Sequence, residues 1–271
     1  VSFSAPKRRA GFIERPDCRI AYEITGEGPA IVFAHGLGGC LMSWWQQVAH
    51  FATRYTCVAF SHRGFFPSTA PAGGPDPSLY ADDVAALVDG LHLGEIRFVG
   101  QSMGGWSGVE YALMRPGRVK ALVLAATTGA LDPRQLPGAQ PATDHATRRA
   151  ELNARGINPA AGERMAREQP ALHHLYNHVH GLTQGLDREA VRAKLWGLRN
   201  RPPGSFAAAK TPMLFVPGEE DVVLDLPGEA MAAAIPGARS VTLAKVGHSG
   251  HFERAAEFNA IVDRFFREVG A

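Results

Sequence analysis

The chain has 271 residues, enough to bury one large core, and its 45% hydrophobic and 20% charged content is that of a globular domain. A net charge of +2 argues against nucleic acid or an acidic partner, and no apolar stretch reaches the roughly 18 residues of a membrane span. Cys18, Cys40 and Cys57 form neither a metal spacing nor an even disulfide set. A reducing, cytoplasmic setting is therefore expected, and residues 1–10 lack the apolar core of a signal peptide. Lys7-Arg8-Arg9 reads as a solvated tail.

Taken in order, residues 12–14 and 19–25 read as two antiparallel strands across a turn at Pro16-Asp17. Gly26-Glu27-Gly28-Pro29 turns the chain into a continuous apolar run, residues 30–34, which suits a buried strand. Leu41, Trp44, Trp45, Val48 and Phe51 recur at helical spacing. Residues 55–60 form the next strand. Ser78 is the expected cap of a helix whose Val84, Leu87, Val88 and Leu91 share one face. Residues 96–99 are a short strand, followed by a helix with Trp106, Val109 and Leu113. Residues 119–125, 212–216 and 239–244 complete eight strands, and Phe258, Ile261, Val262 and Phe265 mark a C-terminal helix. Strands alternating with one-faced helices predict an α/β protein with a mostly parallel eight-stranded sheet, covered by helices on both faces.

The interval from 127 to 210 breaks this alternation. It is rich in Ala, Arg, Pro and Gly and shows no strand. Asn158-Pro159, Pro170 and Asp187 are expected helix starts. The reading is a helical cap, residues 127–210, inserted after the sixth strand into a core made of residues 1–126 and 211–271. Such a cap shapes the substrate space and excludes water. Its histidines, His173, His174, His178 and His180, lack the glutamate of a zinc helix, so no metal is assigned.

Four segments carry chemistry, and all follow strand ends, where ligands of open α/β sheets bind. Gly100-Gln101-Ser102-Met103-Gly104 lies between a strand and a helix. That context predicts a sharp turn that exposes the Ser102 hydroxyl, with Gly100 and Gly104 required because a Cβ there would clash. His35-Gly36-Leu37-Gly38-Gly39 follows an apolar strand but lacks a dinucleotide fingerprint, because position 41 is Leu. Its Leu37 N–H and the Met103 N–H are placed to converge on one oxyanion. Pro217-Gly218-Glu219-Glu220-Asp221 supplies an acid after a strand. Asp221 is the choice, with Glu219 and Glu220 as rivals and Asp225 behind them. Gly247-His248-Ser249-Gly250-His251 supplies a base, His248, with His251 as competitor.

Together these segments resemble the α/β-hydrolase family. The resemblance also rests on Ser61-His62-Arg63-Gly64-Phe65-Phe66-Pro67-Ser68 and on the run from Gly247 through Glu253 to Phe258-Asn259. Small bacterial carboxylesterases, enol-lactonases and cofactor-free perhydrolase-like members are similar. The resemblance implies Ser102 as nucleophile, His248 as base, Asp221 as orienting acid, and Leu37 and Met103 as oxyanion donors. Two departures stand out: Ser61 replaces the usual aspartate of the strand-four pattern and Phe66 its second glycine. The implied activity is cleavage of a carboxylic ester or lactone of a small, largely apolar substrate through an acyl-enzyme, without a cofactor. Serine rather than aspartate at the elbow argues against epoxide opening and halide displacement. Carbon–carbon bond hydrolysis of ring-cleavage diketones and a non-catalytic ligand-binding role are the alternatives. Met103, Trp106, Met165, Leu172, Leu175 and Tyr176 are candidates for an apolar pocket, with Trp106, Tyr176 and Leu172 chosen as substrate contacts. The expected partner is a small molecule, not nucleic acid or a membrane, and a homodimer stays open.

Overall fold

Strand β3 (Ala30–Ala34) is buried along its whole length. Ala30, Val32 and Ala34 enter one apolar cluster, while Ile31 and Phe33 enter another, because successive side chains leave opposite faces of a strand. A strand buried on both faces needs helices above and below it. The computed structural model, which describes residues 5–137 and 144–271, supplies them. Its sheet has eight strands in the order β1-β2-β4-β3-β5-β6-β7-β8. These are β1 (Arg8–Glu14), β2 (Arg19–Thr25), β3, β4 (Thr56–Phe60), β5 (Ile96–Gln101), β6 (Val119–Ala125), β7 (Met213–Val216) and β8 (Ala238–Ser240). β2 pairs antiparallel with β1 and β4, and every other neighbouring pair is parallel.

One face is covered by α2 (Tyr80–Gly90) and α3 (Met103–Met114), whose Val84, Leu87 and Val109 pack with Val32 and Phe98. The other is covered by α1 (Trp45–Phe51) and the C-terminal helix (Ala255–Glu268), whose Phe51, Phe258 and Val262 pack with Phe33 and Val99. Full burial of a phenylalanine such as Phe33 or Phe98 contributes about 1.5–3 kcal/mol. Among the described residues four α-helices lie between β6 and β7: α4 (Ala146–Ala154), α5 (Glu163–Glu168), α6 (Pro170–Gly181) and α7 (Arg188–Leu198). Residues 138–143 of the expected cap and residues 1–4 of the expected tail lie outside the described residues. After β7 come α8 (Gly228–Ala234) and α9 (Gly250–Glu253), so the C-terminal helix is α10. Among the described residues no helix is long and apolar enough to cross a membrane.

Local expectations differ from the structure at five places. Arg8 and Arg9 belong to β1, not to a solvated tail, because they pair with Thr25 and Ile24 of β2. β8 stops at Ser240, and beyond it only Leu243 makes a bridge, to Gly218. Residues 41–44 form a tight 3-10 turn ahead of α1. Asp76, not Ser78, caps the turn leading into α2, its carboxylate accepting the Ser78 N–H at 3.0 Å. Asn158-Pro159 makes a turn instead of a helix start. The Asn158 side chain accepts the N–H of Ala160 at 3.0 Å, an Asx turn that competes with helix, and α5 begins only after Gly162.

The strand-four loop is pinned by buried polar contacts. Ser61 accepts the Leu41 N–H at 2.9 Å and donates to the Phe66 carbonyl at 2.8 Å, so this departure from the family pattern still ties loop to loop. Arg63, 1% exposed, forks onto Asp83, 0% exposed, through two 2.6 Å bonds. Arg15 joins Asp83 at 2.9 Å and Asp17 meets Arg63 at 3.0 Å. Asp83→Asn removes the fully buried counterion of Arg63 and leaves it only the exposed Asp17. It should lower unfolding free energy by about 3–5 kcal/mol in urea titrations, whereas an exposed pair such as Lys120–Glu95 should yield at most about 1 kcal/mol when broken.

Candidate active site

Ser102 stands between the end of β5 and the start of α3 with φ 51° and ψ −116°. Such a backbone costs an L-residue about 1–3 kcal/mol, so its surroundings must enforce it. The Ser102 N–H bonds the Ala125 carbonyl at 2.9 Å, and its carbonyl takes the Gly105 N–H at 3.0 Å. A Cβ on Gly100 would lie 2.5 Å from the Gly104 carbonyl oxygen, and one on Gly104 would lie 2.1 Å from that of Ala34. The two glycines are thus required by close backbone approach. The Met103 N–H, first in α3, is among the donors that a helix leaves unused at its N-terminus.

The loop after β3 meets this turn directly. A Cβ on Gly36 would lie 3.1 Å from the Ser102 Cβ. His35, fully buried, has its Nδ1 2.7 Å from the Gly36 carbonyl, while its Nε2 lies 3.0 Å from the His62 N–H. A carbonyl only accepts and a backbone N–H only donates, so Nδ1 carries the proton and Nε2 is the acceptor. Burial pushes the His35 pKa down to about 4, which keeps this neutral form. The Gly36 carbonyl and the Leu37 N–H belong to one peptide plane, so the imidazole fixes the direction in which Leu37 points its donor. His62 extends the chain of contacts to the Ser107 hydroxyl of α3 at 2.7 Å. Sequence reasoning missed the roles of His35 and His62. The only signal was a histidine directly ahead of the glycine loop.

Asp221 and His248 come together from loops after β7 and β8. Asp221 Oδ2 lies 2.7 Å from His248 Nδ1, and both side chains are nearly inaccessible. Asp221 Oδ1 accepts the N–H groups of Val223 and Leu224 at 2.8 and 3.1 Å, which leaves Oδ2 to face the ring. The rivals are turned elsewhere: Glu219 accepts the Lys245 N–H at 2.7 Å and Glu220 meets Arg164 at 3.1 Å. The Gln101 amide donates to the His248 carbonyl at 3.2 Å, linking the residue before Ser102 to the histidine loop. His251 packs against Trp44, ring centroids 4.5 Å apart, and burial pushes its pKa down to about 3.

Ser102 and His248 share the wall of one cavity of about 730 Å³ with Leu37, Met103, Trp106 and Tyr176. The Tyr176 hydroxyl accepts from Ser249 at 3.0 Å. Leu172, one of the chosen substrate contacts, is placed elsewhere. One turn before Tyr176 on α6, it packs with Ala161, Met165 and Phe252 and does not line the cavity. Leu172 and Tyr176, at i and i+4, share a helix face and both pack on that cluster; Tyr176, one turn farther along, also reaches the cavity wall with Val179 and His180. Met165 shares that packing and Leu175 is exposed. The histidines of α6 separate: His180 lies over Gly38 of the glycine loop, while His174 and His178 meet each other at 2.9 Å on an exposed face. Among the described residues no three His, Cys, Asp or Glu side chains gather as metal ligands. Cys40 is fully buried, and burial pushes its thiol pKa up to about 11, so it is no nucleophile at neutral pH.

Residues 29–176 match a family described as alpha/beta hydrolase fold. A Mycobacterium tuberculosis protein named as a non-heme bromoperoxidase is 29% identical over 93% of this chain and 99% of its own length. The solved structure of an enol-lactonase from Burkholderia xenovorans is similar with a TM-score of 0.68 and 25% identity, covering 92% of this chain and 97% of that one. That of Est816, titled an N-acyl homoserine lactone degrading enzyme, gives a TM-score of 0.73 and 27% identity, covering 94% and 100%.

The buried histidines make the fold acid-sensitive. His35 and His251 resist protonation in the folded chain down to pH values near 4 and 3, but an unfolded histidine titrates near 6.5. Below about pH 6.5 the unfolded state binds protons that the folded state refuses. Stability from this source is full above that pH and declines as pH falls toward 4. The urea midpoint should therefore drop between pH 7 and pH 5. His251→Phe, which keeps the ring packing on Trp44, should make that drop smaller, and an unchanged slope would assign the sensitivity to other groups.

Proposed function

Because the chain belongs to the α/β-hydrolase fold family, we propose that it is a serine hydrolase cleaving a carboxylic ester or lactone of a small molecule through an acyl-enzyme. The observation that supports this reading is the Asp221–His248 contact at 2.7 Å, on the wall of a cavity that also holds the strained Ser102. In this reading His248 Nε2 takes the Ser102 proton as Oγ attacks the carbonyl carbon. Asp221 holds the opposite ring nitrogen protonated and stabilises the imidazolium that forms. The N–H groups of Leu37 and Met103 receive the oxyanion, each such donor contributing about 3 kcal/mol to the barrier reduction. The imidazolium then protonates the leaving alcohol, and water repeats the sequence on the acyl-enzyme.

The helices between β6 and β7 act in this scheme as a cap. Tyr176 and His180 of α6 and Leu195 of α7 wall the cavity opposite Ser102, so substrate enters a space partly shielded from bulk water, where fixed donors act more strongly. The enol-lactonase and lactone-degrading relatives agree with an ester or lactone carbonyl as the target. Neutral His35 maintains the oxyanion peptide without adding a charge to the site.

Ser102→Ala and His248→Gln should each lower kcat for a short p-nitrophenyl ester by about 10⁴-fold or more. A fluorophosphonate should label the wild type and leave Ser102→Ala unlabelled. Retention of most of the turnover by Ser102→Ala would end the serine-hydrolase reading.

A further inference from the structure

The cavity wall carries positive charge that the described residues pair only in part. Arg188, Arg192, Leu195 and Arg199 line it together, at i, i+4, i+7 and i+11, one face of α7 and its C-cap. Arg192 is paired with Glu189 and Arg149, on the same wall, with Asp144 at 3.6 Å. Arg188 and Arg199 make no ion pair among the described residues. Arg188 donates from Nη2 to the carbonyls of His180 and Thr183 at 2.8 and 3.0 Å. Arg199 donates from Nη2 to the Thr128 hydroxyl at 2.6 Å and lies 4.0 Å over the Trp196 ring. The Nε of each is buried without a hydrogen-bond partner. Asp132 attracts Arg199 at longer range, but its oxygens are taken by Arg134 at 2.8 and 2.9 Å and by Gln135 at 3.2 Å.

A partly buried guanidinium without a carboxylate partner is costly. An anion entering the cavity supplies the missing counterion, and the guanidinium presents a fork that fits a carboxylate. Arg199 is the better placed of the two. Its partner Thr128 directly follows Thr127, whose methyl would meet a Cβ on Gly105 of α3 at 2.2 Å. Arg199 is thereby tied to the loop that rests on the elbow helix, whereas Arg188 spends two bonds closing the turn between α6 and α7. Trp196 and Thr128 hold the guanidinium in place, which reduces the entropy lost on binding.

We propose that the cavity selects esters or lactones bearing a second, anionic group, a carboxylate, seated on Arg199. The proposal rests on the hydrolase reading for its reaction but not for its anion seat. Burial holds the Arg199 pKa down to about 10, so the side chain stays cationic at neutral pH.

Two esters of similar length, p-nitrophenyl butyrate and mono-p-nitrophenyl glutarate, compare a neutral with a carboxylate-ended acyl chain. Wild type should favour the glutarate ester in kcat/KM by about tenfold or more at low salt, with the preference shrinking as salt rises. Arg199→Gln should lower that ratio about tenfold or more, and Arg199→Lys should restore part of it. Independently of turnover, glutarate should raise the melting temperature of Ser102→Ala, and the rise should vanish when Arg199→Gln is added. A wild-type preference for butyrate, or a ratio and a glutarate shift both indifferent to Arg199→Gln, overturns the proposal. Turnover of neither ester by wild type, or by Ser102→Ala as well as wild type, would count against the hydrolase reading. The glutarate shift would still decide the anion seat.

Discussion

Backbone crowding where β5 turns into α3 governs the site. Gly104 passes so close to the end of β3 that a single added carbon would sit 2.1 Å from the Ala34 carbonyl oxygen. This contact sets the distance between the elbow and the loop that follows β3. Ser102 is forced to positive φ by the same turn, and the loop carrying Leu37 is drawn alongside it. The parallel pairing of β3 with β5, Ala34 opposite Gly100, aligns the two strand ends, so both loops leave the sheet at one edge. Packing of Val32 and Phe98 beneath them makes that alignment rigid. The placement of Ser102 beside the Leu37 and Met103 amides is a consequence of where two strands stop.

Around this contact the protein uses neutral imidazoles as internal hydrogen-bonding parts. His35, His62 and His251 are all held well below the ordinary histidine range by burial. His35 can therefore donate to the Gly36 carbonyl and accept from His62 at the same time, a role that protonation would abolish. His248 meets a carboxylate, Asp221, at hydrogen-bond distance and lines the cavity. His248 is buried as well, so its carboxylate partner and its place on the cavity wall, not burial, set it apart. The fully buried Arg63–Asp83 fork plays the corresponding structural role in charge, tying the strand-four loop to α2.

The helices between β6 and β7 contribute a wall of different character. The sheet side of the cavity is mostly glycine loop, Met103 and Trp106, but α7 brings guanidinium groups. Arginine side chains with no carboxylate partner beside an accessible cavity are an unfinished electrostatic arrangement. The apolar acyl pocket expected from the sequence is therefore only part of the space. Hydropathy patterning recognises α7 as a one-faced helix, yet it cannot tell that the face turned inward carries arginines.

From the sequence alone came the alternation of strands and helices, the elbow at Ser102, and the chain order of serine, acid and histidine. Each is local or nearly so: a strand declares itself by five apolar residues in a row, and a Gly-x-Ser-x-Gly turn by the backbone angles it demands. Pro170 and Asp187 announced α6 and α7 for the same reason, because a proline at the first turn and a capping carboxylate act within a few residues. Tertiary structure decided what depends on the orientation of distant segments. It turned Asp221, not Glu219 or Glu220, toward His248, kept Leu172 off the cavity wall that Tyr176 reaches one turn farther along α6, and drew Arg8 and Arg9 into β1. It also left Arg188 and Arg199 without an ion pair among the described residues. Neighbouring carboxylates in one loop look alike to any local rule; only the direction imposed by packing against other elements separates them.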